Sequence, residues 1–335
     1  MGAERFSYSK IGVFEQCRYK YKLIYTDGHY ISTDSVATEF GTLVHYIEEQ
    51  MVKRLNTNFT LTETDYQELL DLFEYADIHN PTETVLGLTI LRDKYKDEWN
   101  VPDKSNRTYE EKADEYKVKG IYRLREFLRN NPEVEVLDAE KEFNLDFQGY
   151  LFHGFIDRVY RNTSTGEIYV EDIKTWSQPA DSSELTTPMQ FVIYCLAAEQ
   201  IYNVTDNQLK CFYELPLCNI KQAAGTKGFI SRGVKKLSKL LAEIETGDFT
   251  PNPSPLCHWC VFSGTYPNQP EEAKKLCPYF SHWTKLKKDF TVENEYLGEE
   301  QHSKILEAFQ NDYKKVKPKA IIEVVDSARR FIIRR

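Results

Sequence analysis

The chain has 335 residues, 41% of them hydrophobic, with 22 tyrosines, 19 phenylalanines and a formal net charge of −9. That length allows one large domain or two modest ones around a proper core, and the acidic balance speaks against a nonspecific nucleic-acid coat. No apolar run approaches the roughly 20 residues of a membrane span, and the opening MGAERFSYSK lacks the apolar stretch of a secretion signal. These features predict a soluble, cytoplasmic protein without membrane association, in the host-cell cytoplasm if the source is viral. Seven cysteines, an odd number without a secretion signal, speak against a disulfide framework.

Residues 7–26, SYSKIGVFEQCRYKYKLIYT, predict one short amphipathic helix with Ser9 as its N-cap and Cys17 inside it. Arg18, Lys20 and Lys22 follow, suited equally to phosphate contacts and to a solvated face. A second helix carries Leu43, Ile47 and Met51 four apart, a single buried stripe with His45 beside it. A lone histidine next to an apolar stripe is ordinarily structural. Residues 56–132 predict a helical insert over Glu63–Ile78, Glu83–Trp99 and Tyr109–Asn130, shaping a channel over the site and carrying no chemical motif. Glu133–Phe147 then predicts a core strand, on which Glu140 and Glu142 read first as solvent-facing charges.

The chemistry concentrates on the next hairpin. Tyr150–Arg161 alternates and is rich in aromatic and β-branched residues, Asn162–Gly166 holds turn formers, and Glu167–Thr175 alternates again. Asp157, Asp172 and Lys174 stand out on it. Asp172 and Lys174 are two apart, so a strand points them to one face. Two carboxylates and an ammonium together suit a site that holds a divalent cation beside a reacting phosphate. Thr187–Tyr202 predicts a helix with Pro188 in its first turn and Gln190 and Tyr194 sharing a face. Asn207–Leu217 predicts a strand, and Ser231–Thr246 a basic-faced helix.

Cys195, Cys211 and Cys218 lie in apolar surroundings and read as buried small hydrophobes. Cys257-x-x-Cys260, approached through prolines, reads as a metal-binding turn, with Cys277 beyond it; His258 and His282 keep a mixed zinc site open. Gln301–Val316 predicts a helix, and Ala320–Val325 and Phe331–Arg335 predict strands around Asp326-Ser327-Ala328. Tyr313–Arg335 has eight Lys and Arg against Glu323 and Asp326, a +6 segment on an otherwise acidic chain. Such a tail serves as a solvated terminus or as a phosphate-binding element.

Gly154-x-x-Asp157 followed by Asp172-x-Lys174 resembles the PD-(D/E)xK nuclease superfamily. Gly41-x-x-x-His45 upstream and Gln190-x-x-x-Tyr194 downstream make it similar to the RecB-like branch, as does the order of Cys17, Cys257, Cys260 and Cys277. The resemblance spans roughly residues 7–280 as an ordered set of motifs. It implies an α/β fold with a mixed central β-sheet flanked by helices, a restriction-endonuclease-like core. The implied organisation is a nuclease core over 1–284, with the insert and a cysteine-bound metal seam, and a small C-terminal appendage over 285–335. His45, Asp157, Asp172 and the Ile173 carbonyl would hold Mg²⁺ or Mn²⁺, with Glu140 a candidate additional acid because related nucleases place a glutamate on this strand. Lys174 would position the attacking water or stabilise charge, and Gln190 and Tyr194 would orient the substrate strand. The four cysteines would hold a [4Fe–4S] cluster, with Zn²⁺ the alternative. Trp176 departs from the glycine that relatives often carry; it suits either stacking on a base or covering the sheet.

The expected function is metal-dependent hydrolysis of DNA, exonucleolytic on single strands or ends, in recombination, repair or phage or CRISPR DNA processing. A helicase or recombination protein is the expected partner, because the chain has no G-x-x-x-x-G-K-[ST] phosphate loop. The alternatives are a structure-specific endonuclease and a non-catalytic DNA-binding subunit of nuclease-like fold.

Overall fold

A computed structural model describes residues 5–251 apart from 32–33, 56–59, 81–82, 104 and 181–184. Beyond 251 it describes 256–257, 260–262, 273, 276–277 and the strands at 289–291, 321–325 and 330–334. The predicted helix over Gln301–Val316, the Asp326–Ala328 connection, His258 and His282 lie outside the described residues. The chain forms two compact units: residues 1–8 with 34–237, and residues 9–33 with 238–335. This grouping places residues 9–33 with the C-terminal region.

The first unit is built on a mixed six-stranded sheet. Its strands are β1 (Arg5–Phe6), β4 (Val134–Phe147), β5 (Tyr150–Asn162), β6 (Ile168–Ile173), β7 (Leu209–Leu215) and β8 (Ile220–Ala224). β4 and β5 form a long antiparallel hairpin, from Val134 opposite Asn162 to Phe147 opposite Tyr150. Its connection is Gln148-Gly149, both at positive φ (56° and 87°), the geometry whose twist matches that of the strands. β6 runs antiparallel to β5 and parallel to β7. The β6–β7 crossover contains helix Met189–Tyr202, as parallel strands require. The central strands are apolar and β-branched in alternation, and Ile156, Val159, Ile168 and Val170 are fully buried.

Helix α3 (Val36–Arg54) is capped by Ser35, whose hydroxyl accepts from the Thr38 amide at 3.2 Å. The predicted stripe of Leu43, Ile47 and Met51 is completely buried. It shares one core with the insert, through Tyr66, Leu69, Phe73, Trp99 and Tyr116, and with Val134, Val136 and Tyr160 of the sheet. The insert is therefore packed into the core.

It is also not helical throughout. Helix Glu63–Tyr75 gives way to a small hairpin of β2 (Asp77–His79) with β3 (Thr84–Leu86). Asn80 ends the helical reading by accepting the Glu83 amide with its side chain at 2.7 Å, closing a turn where the next helix was expected to begin. The remaining helices are shorter than expected: Leu88–Lys94, Lys96–Trp99, Tyr109–Val118 and Arg123–Asn130.

In the second unit the predicted 7–26 helix is broken. Tyr8–Gln16 is one helix (α1), Arg18–Tyr21 another (α2), and Lys22–Thr26 a short π-helix. Cys17 is the break, extended at φ −160°, and it precedes the second helix. Ser9 lies inside the first helix, which starts at Tyr8, so it is not the cap. Strands Ile321–Val325 and Arg330–Arg334 pair antiparallel, and the latter also pairs with Asp289–Thr291.

Candidate active site

The β5–β6 ladder runs from Arg161 opposite Ile168 to Arg158 opposite Glu171 and ends there. The next position would set Asp157 against Asp172. There the pairing stops, and the Ile173 amide donates to Asp157 Oδ2 at 2.7 Å instead of to a strand carbonyl. Strand alternation sends Asp157 and Asp172 to one face of the sheet and Arg158 and Glu171 to the other. The same glycine that marks the motif is required locally: a Cβ on Gly154 would lie 2.8 Å from the Phe143 ring that crosses it.

α3 brings His45 to this point, with Nδ1 3.6 Å from Asp157 and 3.9 Å from Glu140. Glu140 is reached through backbone strain, at φ +45°, a region a non-glycine residue rarely adopts. His45, Glu140 and Asp157 offer ligand atoms all within 4.8 Å of one another. The reading of Glu140 as a solvent-facing charge is thereby corrected. Glu142 does remain at the surface, paired with His153 at 3.0 Å. Asp172 is not in that triad: its side chain, 0% exposed, is held by Lys174 Nζ at 2.7 Å. Ile173 touches the site through its amide N–H. Glu83 of the insert also feels the charges of Glu140 and His45, and burial raises its pKa. A glutamate in a polar turn with no motif around it gave no sequence signal for that placement.

The electrostatics of the cluster suit a divalent cation. Burial pushes the Asp172 carboxyl up to about 7, the nearby Asp157 charge adds to this, and Lys174 opposes it. Asp157 is raised for the same first reason, burial. Burial disfavours the His45 imidazolium, but Asp157 and Glu140 outweigh it and lift its pKa to about 9. Both Asp172 oxygens are buried without a hydrogen-bond partner, save the Lys174 ion pair. A partly buried imidazole beside clustered carboxylates, with orphaned acceptors next to it, is the donor set of a hard divalent cation.

Gln190 and Tyr194 share a face of their helix as predicted, with the amide donating to the phenol oxygen at 2.9 Å. Tyr194 is buried against Phe143 and Phe191. Burial, with the charges of Asp157 and Asp172, keeps its phenol protonated.

Elsewhere, Cys195 and Cys211 are buried as predicted, with sulfurs 3.3 Å apart. Cys218 is only half-buried; its thiol donates to the Trp176 carbonyl at 3.1 Å. Cys17, Cys257, Cys260 and Cys277 all belong to the second unit and none forms a disulfide. The Cys260 amide donates to the Cys257 carbonyl at 3.1 Å. Cys260 and Cys277 pack against a small core of Leu23, Val261, Phe262 and Ala273. Burial raises the Tyr19 phenol, and Cys277 and Cys17 are among the charges that raise it further, so both lie within its electrostatic reach.

A profile of the PD-(D/E)XK nuclease superfamily matches residues 5–265. The chain belongs to that superfamily, whose chemistry is metal-dependent nucleic-acid cleavage. No curated protein matches the chain. Among solved structures, that of SSO0001 aligns at 14% identity over 76% of this chain and 96% of its own, with a TM-score of 0.26. Among the described residues, no helix is long and apolar enough to cross a membrane.

Proposed function

We propose that this protein is a Mg²⁺- or Mn²⁺-dependent deoxyribonuclease of the RecB-like branch, acting as an exonuclease on single-stranded DNA or DNA ends. The observation that carries the reading is the His45–Glu140–Asp157 cluster set beside the buried Asp172–Lys174 pair. His45, Glu140 and Asp157 would hold the cation, with Asp172 next to it. The cation supplies Lewis acidity toward the phosphate and lowers the pKa of an attacking water. Lys174 keeps its charge, because Asp172 and Asp157 outweigh the burial that would lower its pKa. In this role it would stabilise the negative charge that develops on the phosphate in the transition state. Gln190 and Tyr194 form a fixed pair that would orient the strand.

The four cysteines would hold a [4Fe–4S] cluster, supported by their shared unit and by the break at Cys17 that frees its thiol from a helical repeat. A closed four-thiolate site is structural here and leaves phosphate chemistry to the first unit. The setting would be recombination, repair or phage or CRISPR DNA processing in the cytoplasm, with strand separation supplied by a helicase or recombination protein. The test is digestion of end-labelled linear single strands, linear duplexes and closed circles with Mg²⁺, Mn²⁺ or EDTA. The expected result is cation-dependent, stepwise shortening of linear DNA with circles untouched. Cutting of circles would turn the reading to an endonuclease, and inert DNA under every cation would overturn it.

A further inference from the structure

Directly after Lys174 the chain enters a groove of about 540 Å³, within the size range of small-ligand sites. It is bounded by the first turn of α3, by the insert around Asp103 and Tyr109, and by residues 175–178. Trp176 stands in it, two residues from Lys174 and 36% exposed. Tyr213 backs its ring, centroids 5.3 Å apart at 44°, and the Cys218 thiol holds its carbonyl at 3.1 Å. The ring is therefore pre-set with its cost of ordering already met by the fold.

The charges of the groove neutralise one another. Lys112 Nζ lies 2.6 Å from Asp103 and 4.4 Å above the Tyr109 ring, and its side chain is buried. Ser177 donates to Asp103 at 3.4 Å, tying the segment after Trp176 to the insert. Among the described residues that line it, no cation is left uncommitted for a phosphate. What the groove offers a ligand is an aromatic face and the uncharged hydrogen-bonding side chains of Thr38 and Gln178. A flat, uncharged ring with a hydrogen-bonding edge matches that surface, and in a nuclease the group of that kind next to the scissile phosphate is a nucleobase.

We infer that this groove is a nucleobase subsite, in which Trp176 stacks on one base of the nucleotide flanking the cleaved bond, with little preference among bases. The inference rests on the nuclease reading above. Base–aromatic stacking is tolerant of sequence, since every base has a π-face. Trp176 is on this account a binding residue that holds the strand in register with the metal site.

The test is single-turnover cleavage of single-stranded oligonucleotides carrying one abasic residue, moved position by position past the cut. With wild-type protein the rate should fall about 5- to 100-fold at one position flanking the cleaved bond and little elsewhere, the range stacking per base allows. Trp176→Ala should be slowed by a similar factor on intact DNA and become indifferent to the abasic residue at that position; Trp176→Phe should fall between. A flat abasic profile with active wild-type protein would overturn the subsite alone. So would an unchanged abasic profile in Trp176→Ala, and if that variant does not fold, the same criterion applies to Trp176→Phe. Wild-type protein that neither binds nor cuts DNA would overturn the nuclease reading itself, and the subsite with it.

Discussion

Asp157 and Asp172 would face each other across β5 and β6 if the ladder ran one step further; it stops there, and the candidate metal site lies at that end of the pairing. Without a cation, the pKa values there are raised, that of His45 to about 9 and that of Asp172 to about 7, so the folded site binds protons more tightly than the unfolded chain does. Metal-free protein should therefore be stabilised below the unfolded pKa values and lose that stability as pH rises through about 7 and on toward 9. Glu214, raised to about 7 chiefly by burial, adds to the loss. A divalent cation at the candidate site would compete with protons at His45 and Asp172 but not at Glu214. Thermal melts with and without Mg²⁺ should diverge as pH rises from 6 to 9; a Mg²⁺ effect that shrinks over that window would refute the ligand assignment. Glu140→Gln should weaken Mg²⁺ binding, read by calorimetry, while leaving the melting temperature in EDTA unchanged or higher, because it relieves repulsion with Asp157.

At the scale of elements, α3, β5 and β6, which carry His45, Asp157 and Asp172, are also tied together through Glu48, Arg158 and Glu171. Arg158, next to Asp157, is ion-paired to Glu48 of α3, and its Nη1 lies 3.2 Å from Glu171, next to Asp172. Tyr160 donates to Glu171 at 2.8 Å, Tyr116 of the insert to Glu48 at 2.9 Å, and Lys221 Nζ lies 2.5 Å from Glu171. All these carboxylates are buried. Arg158→Met would strand Glu48 and Glu171 with fewer partners, at about 3–5 kcal/mol, measurable as a lower denaturant midpoint. Because Glu48 sits one helical turn from His45, the variant should also lose Mg²⁺ affinity; an unchanged affinity would show that the two faces are independent. The β4–β5–β6 region was legible in the sequence because strand alternation and turn residues are local signals. The Arg158–Glu48 pair was not, since its members are 110 residues apart. Nor was the position of Glu140, which depends on a left-handed backbone that an ordinary strand pattern does not announce. The small hairpin in the insert was missed because its flanks share helical periodicity and only the Asn80 turn breaks them.

At the scale of the molecule, the nuclease residues and the four cysteines belong to different compact units. Residues 9–33 and 238–335 are joined in one unit across more than half of the chain, a grouping that no local pattern reveals. A metal on Cys17, Cys257, Cys260 and Cys277 would link those two segments covalently. Anaerobically purified protein should be brown, with broad thiolate–iron absorption, and Cys257→Ala should bleach it and lower its solubility. Stoichiometric zinc without iron would replace the cluster but keep the link. Deleting Tyr313–Arg335, the +6 segment, should weaken DNA binding and flatten its salt dependence, since phosphate neutralisation sets that slope. An unchanged affinity and slope would make the tail a solvated or packing element.

The central claim is that Asp172, beside Lys174 and the His45–Glu140–Asp157 cluster, carries the charge the catalytic cation needs. Asp172→Asn keeps the shape and removes that charge. Side by side with wild-type protein on end-labelled single-stranded DNA in Mg²⁺, it should cut at least about 10²–10³ times more slowly, with its melting temperature in EDTA unchanged or raised. If the pair were only a structural ion pair, Asp172→Asn would digest the DNA at the wild-type rate, and that result would contradict the account.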